Sequence, residues 1–429
     1  MEWKKLRCRR VLGLLRAASI LGLVAFATRA AADSEASASG DWPQWRGPER
    51  NGVSSATGLL KSWSEKGPAV VWRIPGGEGF SGISIARGRA YTMFARGNTE
   101  LVVCLDAATG KEVWRAQTGT NFRDRQGGNG PRSTPLVAGD QVFVLSANGT
   151  FYALEAKSGA VQWKSDFAQQ FGSQAPRWGF STSPLVEGDL VLVEAGGGGG
   201  KSLVAFAREN GRVIWASQGD KPSYSSPLAI TVGGMRQIVF FTAEGPVAVT
   251  PAEGRLLWRH TWHTSYDVNA ATPVFVAPDR IFISSGYDKG AALLRIKAGG
   301  AGVEQVWQSR VMKNHMATSV LHQGHLYGFD DGTLKCIEAA SGESAWRKRG
   351  LGKGSLILAD GHLFVLGEGG DLALVEATPV EYREKGRVEV FKSKCWTAPS
   401  LSGGKLYLRD EREIVCLDVR VEAPTPGRR

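Results

Sequence analysis

Eleven residues, Cys104-Leu-Asp-Ala-Ala-Thr-Gly-Lys-Glu-Val-Trp114, return again and again along the chain, and nothing else in it limits the fold so severely. The same positions are refilled by Ala153–Trp163, Ala205–Trp215, Ala248–Trp258 and Cys336–Trp346. Trp307 ends a looser copy, and Phe391 takes the tryptophan place in another. Successive copies stand 39 to 52 residues apart. A unit of that size cannot bury its apolar face alone, so the copies must stack.

Each unit reads as four short strands. In the second copy, Ser133-Thr-Pro-Leu-Val opens a strand, Gly139-Asp140 turns, and Gln141–Leu145 alternates as the next. Asn148-Gly149 is a hairpin signal, Phe151–Glu155 is the third strand, and Val161–Trp163 is the fourth. Four antiparallel strands repeated radially make a propeller blade. An aromatic at a fixed place in each outer strand packs between neighbouring blades. Burying one indole removes about 150–250 Å² from water, roughly 4–6 kcal/mol gross. That gain accounts for Trp114, Trp163, Trp215, Trp258, Trp307 and Trp346 without any ligand.

The two ends of the repeat array set the blade count. The last unit begins at Thr397-Ala-Pro399, runs through Cys416–Val419 and stops before an outer strand. Ala69-Val-Val-Trp72-Arg73 is an outer strand without a blade, and Trp72 lies 42 residues before Trp114, in step with the repeat. The predicted fold class is therefore all-β: an eight-bladed β-propeller of four-stranded antiparallel blades. An N-terminal strand closes the ring and hides two sheet edges. Seven blades is the fallback if the Phe391 unit is degenerate.

The spacing Ala/Cys-x-Asp-x-x-Thr-Gly-x-x-x-Trp resembles the tryptophan-docking repeat of the PQQ-like (pyrroloquinoline quinone) propeller family, over about residues 69–420. That family includes quinoprotein dehydrogenases and the non-enzymatic propeller of the bacterial outer-membrane assembly machinery. The resemblance is specific for fold and much less so for function. The repeats lack the Trp-Asp ending of WD40 units. Trp42-Pro-Gln-Trp45-Arg-Gly-Pro48 is similar to a segment common in bacterial members of the family, and its two aromatics are expected to pin a strap onto the propeller.

Ahead of the repeats, five basic residues between Lys4 and Arg10 precede the apolar run Val11–Thr28 and then Ala30-Ala31-Ala32, the pattern of a cleaved leader. The expected organisation is a signal peptide at 1–32, an N-terminal strap segment at 33–67, the propeller at 68–420 and a disordered tail at 421–429. The expected location is periplasmic or secreted. The leader takes six of the eleven net positive charges with it, so nucleic-acid binding loses its main argument. No later segment approaches eighteen apolar residues, and no membrane span is expected after signal removal. Cys104, Cys336 and Cys416 share one repeat position and read as small buried hydrophobes. With Cys395 they form neither a CxxC nor a CxxCH motif.

Several motifs tempt. Ala195-Gly-Gly-Gly-Gly-Gly200-Lys201-Ser202 satisfies a permissive phosphate-loop pattern, but a strand rather than a helix is expected after it. His260 and His263, with Asp267 nearby, read as a solvated loop rather than a metal site. His325 and His362 share a position just after a turn. No Gly-x-Ser-x-Gly elbow and no paired carboxylates support a hydrolase.

Loops that lead from an outer strand to the next inner strand gather on one face of a propeller, and ligands commonly sit there. The residues just ahead of each inner strand are the candidates, with long loops at Thr118–Pro131 and Asp166–Gly179 rising around them. Phe80, Tyr224 and His315 are the expected partner contacts. The candidate cofactor-binding set is Arg132, Trp178, Asp267, Asn269, Lys353 and Trp396. What the resemblance implies for PQQ is an aromatic plate at Trp178 or Trp396, cations at Arg132 and Lys353, and calcium oxygens from Asp267 with Asn269. The adjacent-cysteine pair of the quinoprotein dehydrogenases is absent, as is the lipid-attachment cysteine of the assembly propeller. No catalytic residue and no metal ligand can be assigned. The expected function is a monomeric, non-catalytic binding or scaffolding module for an envelope protein or glycan, without cofactor or nucleic acid. The alternative is a PQQ- and calcium-dependent oxidoreductase of alcohols or sugars.

Overall fold

A computed structural model of the chain describes residues 40–300 and 302–421. The expected leader, 1–32, and nearly all of the expected tail lie outside them. The described strands form eight sheets. The first blade holds Ser84–Ala86, Arg89–Arg96, Thr99–Asp106 and Glu112–Thr120, paired antiparallel in that order. The next five blades span 136–166, 185–217, 228–259, 274–309 and 320–348. The seventh spans 355–389, and the eighth takes three strands from 400–418. Its fourth is Ala69–Pro75, antiparallel to Glu413–Asp418, so the N-terminal strand closes an eight-bladed ring. The glycine run at 196–200 ends the strand Leu190–Gly197 and turns through 198–200, and the strand Lys201–Ala207 follows it.

The seams between blades explain the repeat. Trp114 lies in the first outer strand, opposite Cys104, with its ring 6.0 Å from that of Tyr91. Its indole N–H donates to Ala156 O of the second blade at 3.0 Å. Gly159 turns beneath it at φ 76°, where a Cβ would run into the ring. Trp72, Trp163, Trp215, Trp307 and Trp346 likewise donate to a carbonyl of the following blade, at 2.7–3.1 Å. Trp258 departs, donating to Gln237 Oε1 of its own blade at 2.7 Å. Cys104, Cys336 and Cys416 are buried free thiols, each paired across its sheet with a tyrosine. Burial above all pushes Cys104 and Cys336 up to about 11 and Cys416 to about 12, with Asp106 and Asp418 adding to the rise at Cys104 and Cys416, so they stay protonated.

The seventh blade corrects the expectation for Phe391. Leu374 occupies the place of Cys104 in the register and pairs with Gly386, so Gly386 holds the tryptophan position. Phe391 lies five residues further on, beyond the outer strand Glu384–Glu389. A Cβ at Gly386 would run into the indole of Trp63, whose ring is 6.1 Å from Phe364. The missing indole is thus supplied from the N-terminal segment.

That segment also fills the axis of the ring. Asp41 accepts the Arg87 N–H at the turn below the first inner strand, and Trp42 bridges to Ile85 within it. Pro43 O accepts from Val137, and Trp45 Nε1 donates to Thr272 Oγ1 just above the fifth inner strand. The chain reverses through positive φ at Arg46, Gly47, Arg50 and Gly52. It then descends as Val53–Ser54, parallel to Leu358 and Ala359. Leu60 N–H finally reaches Val419 O at the eighth blade. Arg46 and Arg50 are 3% exposed, and their guanidinium bonds reach only carbonyl or amide oxygens, on the sixth and third blades and within the strap. Burial draws both down to about 9, so both remain cations at neutral pH.

Candidate functional site

Hydroxyls from successive blades make the neck of the ring. Gly82 N–H donates to Thr134 Oγ1, Thr134 N–H to Ser183 Oγ and Ser183 N–H to Ser226 Oγ, at 2.9–3.1 Å. Thr272 N–H donates to Thr318 Oγ1 at 2.9 Å on the far side. These bonds tie together the residues just ahead of six of the inner strands. Above the neck lies a cavity of about 330 Å³, at the small end of ligand pockets, which run from roughly 300 to 1,000 Å³. Trp45 of the strap forms its floor.

Six of the nine candidate residues line this cup: Phe80, Arg132, Trp178, Tyr224, His315 and Trp396. Trp178 and Tyr224 stand 5.9 Å apart at 51°. Phe80 and Trp396 meet across the first and eighth blades at 5.1 Å and 42°. The long loops hold these rings in place. Glu78 accepts from Asn121 and Asn129, at 2.7 and 2.8 Å, and so folds residues 121–129 over the cup. Gly127 and Gly128 press flat on Trp178 and Phe80, where a side chain would clash with either ring. The one-turn helix Phe167–Phe171, capped by Asp166, packs its two phenylalanines inward and supports the loop carrying Trp178.

Arg132 donates to the carbonyls of Gly127, Gly128 and Gly130 and lies over the rings of Phe122 and Phe80, at 5.0 and 5.9 Å. Burial lowers it to about 10, still charged at neutral pH. Lys353 lies behind the wall with Nζ 3.0 Å from His315 Nδ1. Burial, then the neighbouring ammonium, holds His315 below the usual histidine value. Tyr224 is pushed up to about 12 by burial and stays protonated.

Asp267 and Asn269 are not brought onto the cup. Asp267 is exposed at φ 59°, 3.8 Å from Lys221. Asn269 is fully buried, donating to Thr242 O and Trp262 O and accepting from Ser285 Oγ. The left-handed backbone at Tyr266 and Asp267 sends these two neighbours in opposite directions. Among the lining residues outside the candidate set, three come from elements other than the approach to an inner strand. Trp45 comes from the strap, Gln126 from a loop tip, and Tyr287 from the hairpin between the second and third strands of the fifth blade. Such hairpins share the loop face with the connections between blades, and an aromatic in one was the available signal.

Calcium takes six to eight oxygens, largely carboxylate. No Asp or Glu lines the cup, and no group of three or more His, Cys, Asp or Glu that could hold a metal occurs among the described residues. With Asn269 spent, the residues present do not fit a calcium-bound PQQ here. No helix of the described residues is long and apolar enough to cross a membrane.

A family model described as outer membrane protein assembly factor BamB matches residues 56–175 and 98–348. No curated protein matches the chain in sequence. Among solved structures, BamB from Moraxella catarrhalis is similar at 15% identity and TM-score 0.57, covering 82% of this chain and all of the other. Quinohemoprotein alcohol dehydrogenase from Comamonas testosteroni is similar at 12% identity and TM-score 0.60, covering 94% of this chain and 85% of that one. A computationally designed protein, Ika8, reaches TM-score 0.59 at 9% identity. At such identities the structural likeness is one of fold.

Proposed function

Taking as premise that this chain belongs to the PQQ-like propeller family of the BamB model, we propose that it is an extracytoplasmic, non-catalytic binding module. In this reading the aromatic cup holds a side chain of an envelope protein or a ring of a glycan. The observation that carries the reading is the composition of the cup: tilted aromatic walls, a strap as floor and no carboxylate on the lining. A general base for alcohol oxidation would have to come from such a carboxylate or from His315, whose Nδ1 is engaged by Lys353. The extracytoplasmic placement rests on the leader pattern at 1–32.

Arrays of glycans and envelope-derived peptides, probed with the full chain, test the proposal. Trp178→Ala and Trp396→Ala are expected to abolish the array signal while leaving the melting transition within a few degrees of the parent. Saturable titration by PQQ in calcium, at one site per chain, would put the oxidoreductase reading first.

A further inference from the structure

Once the existing bonds of the cup are counted, the polar groups left over are donors. Tyr224 Oη accepts the Trp178 N–H at 3.3 Å and keeps its own O–H. Ser183 and Ser226 each accept a backbone N–H and keep a hydroxyl proton. Gln126 Oε1 accepts from Arg177, which leaves its NH₂. Lys353 can only donate, so His315 Nδ1 accepts and the neutral ring carries its proton on Nε2. The nearest acids are committed elsewhere. Asp124 takes the N–H groups of Gln126 and Gly127, and Glu368 takes Trp396 Nε1 and the Lys353 N–H. Buried Glu100 takes Thr118 Oγ1 and the Ala147 N–H.

Among the described residues no carboxylate forms a direct ion pair with the guanidinium of the wall or with those of the strap, and Asp124 and Glu100 act on Arg132 only through space. Arg132 in the wall, and Arg46 and Arg50 in the strap that supplies the floor, bond only to carbonyl or amide oxygens. Cations held in poorly solvated surroundings without a direct carboxylate partner favour an entering anion. Shape narrows the choice further. Neighbouring rings meet at 42° for Phe80 and Trp396, 51° for Trp178 and Tyr224, and 86° for Tyr287 and His315. None of these pairs forms parallel plates, so a flat group finds no slot between them. A puckered ring can instead lay its C–H faces on aromatic faces, which are the negative side of those rings.

Building on the binding-module reading, we propose that the cup takes the terminal uronic-acid residue of an acidic glycan, a puckered, oxygen-rich ring with one carboxylate. The ring rests on the tilted aromatic walls, and its oxygens meet the unspent donors, His315 Nε2–H among them.

The test titrates the full chain with trigalacturonic acid and with its methyl ester, which share ring and length and differ in charge. Binding is followed by calorimetry and tryptophan fluorescence. The acid is expected to bind about tenfold or more tighter than the ester, as charge-assisted bonds predict, with the advantage shrinking as salt rises. Lys353→Met, checked for an unchanged melting transition, is expected to cut that acid-to-ester ratio several-fold. Equal binding of acid and ester would overturn the uronate assignment and leave the binding module standing. Binding of neither would also overturn it, and the array signal with Trp178→Ala would then decide the module by itself. PQQ bound with calcium in place of both sugars would overturn the two together.

Discussion

The seam between the first and second blades and the seam between the seventh and eighth fill the same hole in different ways. At the first, the chain supplies its own indole: Trp114 lies on Gly159 and donates to Ala156 O. At the second, Gly386 leaves the position empty and Trp63, more than three hundred residues earlier, covers it. The ring-to-ring distances, 6.0 and 6.1 Å, are almost equal. The polar bookkeeping differs. Trp63 Nε1 is buried without a partner, and Leu60 N–H takes Val419 O, the carbonyl in the place of Ala156. Packing is what a seam requires, and an indole bond across it is a refinement that two seams do without, this one and the one at Trp258. The borrowed indole also ties the strap to the ring, beside the bonds of Arg46 and Arg50 along the axis.

The largest effect expected is from Trp114→Ala, which should cost about 3–5 kcal/mol in urea unfolding, the usual range for a buried Trp truncation. Trp63→Ala, removing a half-buried ring with no hydrogen bond, should cost about 1–3 kcal/mol by the same measurement. Equal losses would mean that the borrowed indole carries as much as the built-in one, and the contrast would fail. Phenylalanine sharpens it. Trp114→Phe forfeits the shorter of the two bonds to Ala156 O, leaving the one from Tyr91 Oη at 3.3 Å, whereas Trp63→Phe removes an N–H that has no partner. The first should cost about 1 kcal/mol more than the second.

The smallest effect sets the background against which both seams are read. Glu194 is fully buried, and desolvation raises it well above the usual carboxyl value, against a backbone bond from Ser223 and with Asp220 adding to the rise. Between its unfolded value and that raised one, the fold binds more protons than the unfolded chain, so stability falls as pH climbs through the window. Glu194→Gln should therefore be the more stable of the two at neutral pH, with the gain vanishing below about pH 4.5. Urea midpoints of both proteins between pH 4 and 8 check this, and parallel curves would show that Glu194 is not the source of the slope.

Legibility in the sequence followed locality. Seven of the eight blades are contiguous stretches, six of them with turn glycines and an outer tryptophan in order, so the blade number and the closing strand Ala69–Pro75 could be read directly. Phe391 misled because the seventh copy lacks its marker and the true position is a glycine. Glycine leaves no apolar signal, and its partner Trp63 lies outside any repeat. The cup divides along the same line. Residues just ahead of the inner strands converge by symmetry, which put Phe80, Arg132, Trp178, Tyr224, His315 and Trp396 on the lining. Trp45 and Tyr287 reach it from a strap and a hairpin that the repeat does not predict. Asp267 and Asn269 are two residues apart in sequence and diverge because the backbone between blades is not extended there.

By itself, then, the sequence determined the repeat unit, the number of blades and the way the ring closes, because hydrophobic periodicity and turn chemistry act within some forty-five residues. Tertiary structure alone decided what stands on the axis: which donors stay unspent, which cations bond to carbonyls instead of a carboxylate, and which indole fills the seventh seam. Those outcomes depend on side chains hundreds of residues apart competing for the same carbonyls and the same space, and no local pattern records who wins.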